Sequence, residues 1–216
     1  MATKSIETIA GIGVPDTALV REATEFIRAA EDDVLFHHSR RVFFFGALQG
    51  LRRGLRPDLE LLYVGAMFHD LGLTDRYRVS AVRFEVDGAN AARDFLTQRG
   101  VDESEADRVW LGIALHTTPG VPEFLEPEIA LVSAGVETDV LGIGRDDLAP
   151  GALAAVTAAH PRPEFKRRIL AAFTNGMRHR PQTTFGTCNA DVLRRFDPDF
   201  VPDDFVDNIV NNTWPE

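Results

Sequence analysis

Apolar residues recur every three or four positions along most of the chain, the spacing that places them on one face of an α-helix. The pattern predicts helices at about 16–30, 34–52, 58–70, 86–99, 103–116, 126–142, 163–178 and 202–212, with a weaker one near 189–196. Strand patterns are scarce. The one β-like run, Val-Phe-Phe-Phe at 42–45, continues a helical stripe. We therefore predict an all-α fold.

Local signals divide the chain into an arm and a single compact helical domain. Residues 1–15 end in Gly-Val-Pro and predict an N-terminal arm, and Asp16 is the predicted N-cap of the first helix. Pro127 suits a first helical position, and residues 72–84 suit a loop. One domain is expected at 16–216, since a chain of 216 residues is long enough for one buried core.

Histidine and aspartate interrupt the apolar stripes of three of these helices. His38 lies on the second, the doublet His69-Asp70 ends the third, and Asp139 lies in the helix predicted at 126–142. A lone histidine on an apolar face is usually a core residue, but carboxylates are almost never buried without a partner. A divalent cation would satisfy all four side chains together. Two imidazoles and two carboxylates suit zinc first, with Fe(II) and Mn(II) also compatible.

The other histidines differ in what they indicate. His116 ends a predicted helix and is either a fifth ligand or an acid–base group, the second being the role we favour. His37 points about 100° away from His38 on the same helix, so it cannot easily share the metal. His160 and His179 stand beside proline or arginine, which is typical of surface positions without a function.

Composition and charge limit the function classes. The formal net charge of -10 argues against a nucleic-acid partner and leaves a small-molecule substrate as the expected one. The single cysteine, Cys188, excludes an internal disulfide and suits a reducing compartment. No signal-peptide pattern and no apolar run of about 18 residues is visible, so we expect a cytoplasmic protein without membrane contact. A homo-oligomer is compatible with these features.

The order His38, His69-Asp70, Asp139, each on its own helix, resembles the HD superfamily of metal-dependent hydrolases. Longer stretches resemble its cyanamide hydratase branch, and together they cover roughly residues 12–215. These stretches are His-Ser-Arg-Arg at 38–41, Gly-Ala-Met-Phe-His-Asp-Leu-Gly-Leu-Thr at 65–74, Arg-Phe-Glu-Val-Asp-Gly-Ala at 83–89, Ala-Leu-His-Thr-Thr-Pro-Gly at 114–120 and Asn-Asn-Thr-Trp-Pro at 211–215.

This resemblance implies a hydro-lyase that adds water to a small nitrile-like substrate such as cyanamide, giving urea. The metal at His38, His69, Asp70 and Asp139 would activate water or polarise the nitrile nitrogen. His116 or Asp70 would move the proton. Thr117, Thr118, Phe44 and Phe68 are the candidates for a small substrate pocket.

A phosphohydrolase acting on a nucleotide or small phosphomonoester is the alternative, with Arg40, Arg76 or Arg83 binding phosphate. In the HD nucleotidase branch the His-Asp doublet is followed about three positions later by an acidic residue. This chain has Leu71-Gly72-Leu73 in that region and so departs from the nucleotidase pattern. A degenerate HD domain used only for interaction fits poorly, because every ligand position is filled.

Overall fold

A computed structural model describes residues 7–214 of the chain and is built from helices, which confirms the all-α prediction. A two-stranded antiparallel hairpin, β1 (Thr8–Ile9) and β2 (Ile12–Gly13), precedes them. The helices are α1 (Ala18–Ala30), α2 (Asp33–Arg53), α3 (Leu59–Phe68), α4 (Phe84–Thr97), α5 (Glu103–Leu115), α6 (Pro127–Val136), α7 (Pro150–Ala159), α8 (Phe165–Met177), α9 (Asn189–Phe196) and α10 (Phe205–Val210). Short 3-10 turns lie at Leu71–Leu73, Pro122–Phe124, Arg145–Asp147 and Pro181–Thr184, and a π-helical turn at Glu137–Leu141.

Several local predictions need correction. Thr17, not Asp16, caps α1, because its hydroxyl accepts the Val20 amide at 3.3 Å, while the Asp16 carboxylate pairs with Arg21 instead. The helix predicted at 126–142 is α6 followed by the separate π-helical turn. Helix α7 was not predicted, although Pro150 at its start is a typical first residue.

The N-terminal arm also has structure that periodicity did not indicate. Its residues from Thr8 to Gly13 form the hairpin, and Ile12 and Val14 are buried in the main core. Residues 1–6 of the predicted arm lie outside the described part of the chain, as do residues 215–216.

Three central helices, α2, α3 and α6, are buried on nearly every side. Glycines let two of them approach closely: a Cβ atom at Gly46 would overlap the carbonyl oxygen of Leu131, and one at Gly135 that of Val42. This contact of α2 with α6 brings the turn after α6, which carries Asp139, against the N-terminal half of α2, which carries His38. The packing thus joins two of the predicted ligand-bearing segments.

Helices α8 and α9 form a second, smaller hydrophobic cluster beside the main core, together with Val34, Leu35, Leu73 and Phe84. The chain after α9 is largely exposed up to Trp214. Among the described residues, none of the helices is both long enough and apolar enough to cross a membrane.

Candidate metal centre

The structure brings His38, His69 and Asp70 together at one buried point. The two Nε2 atoms of His38 and His69 are 3.1 Å apart. An Asp70 carboxylate oxygen, Oδ2, lies 3.6 Å from the first and 3.3 Å from the second. All three residues are inaccessible to solvent, and their ligand atoms lie within 4.8 Å of one another. Within the described residues this is the group that could hold a metal ion.

Local structure explains where the doublet points. Helix α3 ends at Phe68, so His69 is its C-cap and Asp70 already leaves the helical path. The His69 Nδ1–H donates to the Ala66 carbonyl at 2.8 Å, which uses one carbonyl that the helix end leaves free and turns Nε2 inward.

His116 repeats this arrangement at the end of α5. It is the C-cap, its Nδ1–H donates to the Ile113 carbonyl at 2.7 Å, and its ring stands 4.9 Å from that of His69, centroid to centroid, in an edge-to-face orientation. Its Nε2 lies 3.7 Å from Asp70 Oδ1. The structure therefore adds His116 to the same centre, within reach of either role that we considered for it.

The hydrogen bonds at this centre leave lone pairs facing one another. His38, His69 and His116 each give their Nδ1–H to an outer acceptor, so each neutral ring presents a bare Nε2 to the interior. Both carboxylate oxygens of Asp70, and Nε2 of His116, have no hydrogen-bond partner among the described residues. Buried acceptors of this kind are costly unless a cation satisfies them, and metal-binding histidines characteristically donate their other N–H outward. The donor set fits a divalent transition metal, with zinc, Fe(II) and Mn(II) all compatible.

Asp139 lies on the opposite side of His38 from this point. Its Oδ2 accepts the His38 Nδ1–H at 2.6 Å, and its two oxygens also accept hydrogen bonds from Arg41, each at 2.9 Å, and one from Arg162 at 2.6 Å. It is not within the ligand-atom cluster of the other three. In this geometry the Asp139 carboxylate orients His38 and forms ion pairs with the guanidinium groups of Arg41 and Arg162. Its role as a metal ligand stays a prediction.

Burial and neighbouring charges shift the pKa values of the residues at the centre. Burial by itself raises the pKa of Asp70, but His69, His38 and His116 outweigh it and hold that pKa well below its usual range. Burial likewise opposes protonation of His69, whose pKa is nevertheless raised by Asp70. Burial and the neighbouring His69 lower the pKa of His116 to about 4. A carboxylate anion and a neutral His116 are the forms that this environment favours.

Sequence reasoning missed several buried polar residues around the centre. Glu85 accepts hydrogen bonds from Arg83 at 2.8 Å, from Asn189 at 2.8 Å and from Thr117. Burial acts to raise its pKa, but Arg83, His116 and Thr117 keep that pKa below normal. Glu31, near Asp70, is buried, and one of its oxygens has no hydrogen-bond partner among residues 7–214. Burial and Asp70 raise its pKa. Glu85 lies in a stretch quoted for the resemblance, but Glu31 and Asn189 had no local signal.

His160 was expected at the surface and is buried instead. Its Nδ1 lies 3.2 Å from Nδ1 of His37, its ring stacks on Phe44 with centroids 5.6 Å apart, and its carbonyl accepts a hydrogen bond from Arg41. The neighbouring proline and arginine predicted a surface position, which is wrong. Arg162 instead points inward and donates hydrogen bonds to the side chain and the carbonyl of Asp139, which holds this segment against the core. His179 is exposed, as expected.

A cavity of about 390 Å³ opens beside His38, Asp70 and His116. Of the predicted pocket residues Thr117 lines it, whereas Thr118, Phe44 and Phe68 are not among its lining residues. Phe44 and Phe68 are fully buried in the main hydrophobic core, where Phe68 stacks on Phe26 with centroids 5.3 Å apart. The walls come instead from the turn after α6 and from α8 and α9, which sequence spacing does not connect to the site.

Comparison with known proteins identifies one family. The HD domain family matches residues 35–154, which is more than half of the chain and includes every predicted metal ligand. No curated protein sequence is significantly similar to the chain.

Proposed function

The chain belongs to the HD-domain family of metal-dependent hydrolases, and we propose that it is a hydro-lyase that adds water across the carbon–nitrogen multiple bond of a nitrile-like substrate. Cyanamide, which would give urea, is the simplest such compound. HD domains bind a divalent metal, and the buried His38, His69 and Asp70 are the residues that could hold it. Zinc is the first choice on the chemistry of these ligands.

The character of the cavity is the observation that carries this proposal. Its walls beside the candidate metal ligands are mainly apolar, and Lys166 is the one cation among its lining residues. A phosphoryl group needs several positioned cations, of which bidentate arginine is the most effective. An uncharged substrate with a small polar reacting group suits these walls better.

Each of the arginines named for the phosphohydrolase alternative contacts another side chain of the protein, and Arg83 also donates to the Thr117 hydroxyl at 3.1 Å. Arg83 pairs with the buried Glu85 at 2.8 Å, Arg40 with Glu7 at 2.5 Å, and Arg76 lies over the ring of Tyr77 at 5.5 Å. None of the three is among the residues that line the cavity. This arrangement favours hydration over phosphate release.

The side chains at the centre can divide the reaction between them. A divalent ion bound there would supply Lewis-acid chemistry, which makes water more acidic or polarises a nitrile nitrogen. His116 presents a bare Nε2, because its Nδ1–H is used by Ile113, so it can accept a proton from the attacking water and return it to nitrogen. Asp70 orients the centre through its charge on His69 and His38. The apolar walls exclude water that would compete with the substrate for this base.

The overall change is balanced by water alone. The water oxygen bonds to the nitrile carbon, one carbon–nitrogen π bond breaks, and one proton passes to nitrogen to give an isourea. Transfer of the second proton from oxygen to nitrogen then yields the urea. No oxidant, reductant or other co-reactant is needed.

The proposal is tested by supplying cyanamide and a panel of nucleoside monophosphates to the metal-loaded protein and measuring urea and phosphate. We expect urea and no phosphate. Asp70→Asn should abolish urea formation, whereas the matched control His179→Ala, at an exposed histidine, should retain it. Phosphate release from a nucleotide without urea from cyanamide would reject the hydro-lyase in favour of the phosphohydrolase.

A further inference from the structure

Helix α8 carries an apolar stripe that faces the candidate site. Phe165, Ile169 and Phe173 are spaced four residues apart, which places them on one face of the helix, and all three line the cavity. Phe165 lies 5.3 Å from His38, ring centroid to centroid. The stripe therefore begins beside His38 and continues along the cavity wall to Phe173, whose ring packs on that of Phe84 with centroids 5.7 Å apart.

Apolar side chains from three other elements also line the cavity. Val136, Val140 and Leu141 come from the end of α6 and the π-helical turn, and Val192 comes from α9. Leu141 is 63% exposed, so apolar surface continues to the outer edge of the cavity. The residues that the structure describes leave this apolar surface uncovered, although covering it would be favourable. An apolar ligand would cover it.

The cavity is much larger than cyanamide requires. Cyanamide has three non-hydrogen atoms, whereas 390 Å³ falls in the range of about 300–1,000 Å³ typical of sites that enclose larger organic ligands. At about 30 Å³ for each water-sized unit in a liquid, the space holds on the order of ten non-hydrogen atoms. Cyanamide alone would leave most of the apolar wall in contact with water.

We propose that the ligand of this cavity carries an apolar alkyl or aryl group of about six to ten carbon atoms, which lies against the α8 stripe while its reacting end meets His116 and Asp70. This inference rests on the proposed hydration, and on that function the substrate class is a substituted cyanamide or nitrile. The apolar stripe of α8 lies beyond residue 154, where the family match ends. The family segment thus carries the candidate metal centre and one wall of the cavity, and the segment after it adds the α8 wall.

A homologous series tests this directly. Zinc-loaded protein is given cyanamide and its N-methyl, N-propyl, N-pentyl, N-heptyl and N-phenyl derivatives, with kcat/KM followed by formation of the corresponding urea and Kd measured by calorimetry. Each added methylene should improve both by about threefold to fourfold, as expected for burial of a CH₂ group, until the cavity is full. Constant or falling values along the series overturn the inference.

The two readouts separate this inference from the proposed function. If no urea forms from any member, the hydration proposal fails, while tightening of Kd with chain length still supports an apolar ligand. If cyanamide is hydrated but neither kcat/KM nor Kd improves with size, hydration stands and the apolar ligand is rejected.

A cavity-filling variant gives an independent check. Val140→Phe should weaken binding of the N-heptyl compound at least about tenfold more than binding of the N-methyl compound, because added volume excludes the longer chain first. Val79→Phe, the same substitution at a residue 82% exposed and outside the cavity, is the matched control. Equal loss for both compounds in Val140→Phe, with the fold intact by circular dichroism, would also overturn the inference.

Discussion

The candidate metal centre and the apolar stripe of α8 meet at His38 but depend on different interactions. Directional hydrogen bonds and charges organise the centre, whereas apolar contacts form the stripe. At the centre every outward N–H of the three histidines has a specific acceptor. Two oxygens of Asp70 and one nitrogen of His116 are buried there without a hydrogen-bond partner in the described part of the chain. Along α8 the contacts of Phe165, Ile169 and Phe173 depend on area and volume. Directional bonds tolerate little exchange of residue type, whereas apolar walls tolerate volume-conserving exchange at less than about 1.5 kcal/mol. We therefore expect substitutions at the centre to affect catalysis and substitutions along α8 to affect substrate selectivity.

The largest effect should come from removing the charge of Asp70. We expect Asp70→Asn to lose the metal and to lower urea formation by more than about 100-fold, since the two buried oxygens of Asp70 have no hydrogen-bond partner within residues 7–214. Wild-type protein should contain about one transition metal per chain. Elemental analysis beside turnover is the measurement, with the wall substitution Ile169→Leu as the control that keeps its metal. A folded, fully active wild type without metal would refute the centre itself.

His116→Ala should reduce turnover by about 10²–10⁴-fold while reducing metal content much less, if His116 moves protons. Its Nε2 also lies close enough to Asp70 to join the ligands, so the comparison of the two readouts decides its role. Parallel loss of metal and turnover would make His116 a ligand and contradict the acid–base role that we favour.

Asp139→Asn should have an intermediate effect on metal binding. In the described geometry Asp139 holds Nδ1 of His38, and loss of such an orienting carboxylate typically weakens metal affinity by about 10–100-fold. Stability should also fall, because Arg41 would be left as a buried, uncompensated charge. Metal titration and denaturant unfolding measure the two effects, with Arg162→Gln, at a partly exposed partner of the same carboxylate, as the milder control. Metal loss as complete as in Asp70→Asn would establish Asp139 as a direct ligand.

The smallest effect concerns the pH dependence of stability behind the centre. Burial, Arg40 and His37 lower the pKa of His160 to about 3. In the unfolded chain His160 therefore binds a proton as the pH falls through about 6.5. In the folded chain it stays neutral until the pH approaches 3. Stability should consequently fall as pH decreases from about 6.5 toward 3, and His160 should contribute no pH dependence above that window.

Denaturant unfolding at several pH values compares wild type with His160→Gln and with the exposed control His179→Gln. The His160 variant should show a shallower loss of stability on acidification, whereas the His179 variant should follow wild type. Identical slopes in all three proteins would show that His160 does not contribute.

Much of the fold follows from local patterns. Helix α9 coincides with its predicted bounds, and α2, α5 and α8 begin and end within about two residues of theirs, because apolar spacing and end signals act over one or two turns. Helix α7 was not predicted, because its alanine-rich sequence shows no contrast between an apolar and a polar face. The hairpin escaped because it is only two short strands.

The sequence by itself determined that the chain is helical and that His38, His69 and Asp70 belong to one site, because polar groups on apolar stripes need a shared partner. Only the tertiary structure decided that Asp139 lies behind His38 with Arg41 and Arg162, and that Phe44 and Phe68 belong to the core instead of the cavity. It also decided that α8 lines the site. These contacts join residues far apart in the chain, and periodicity identifies the buried face of a helix without identifying what packs against it.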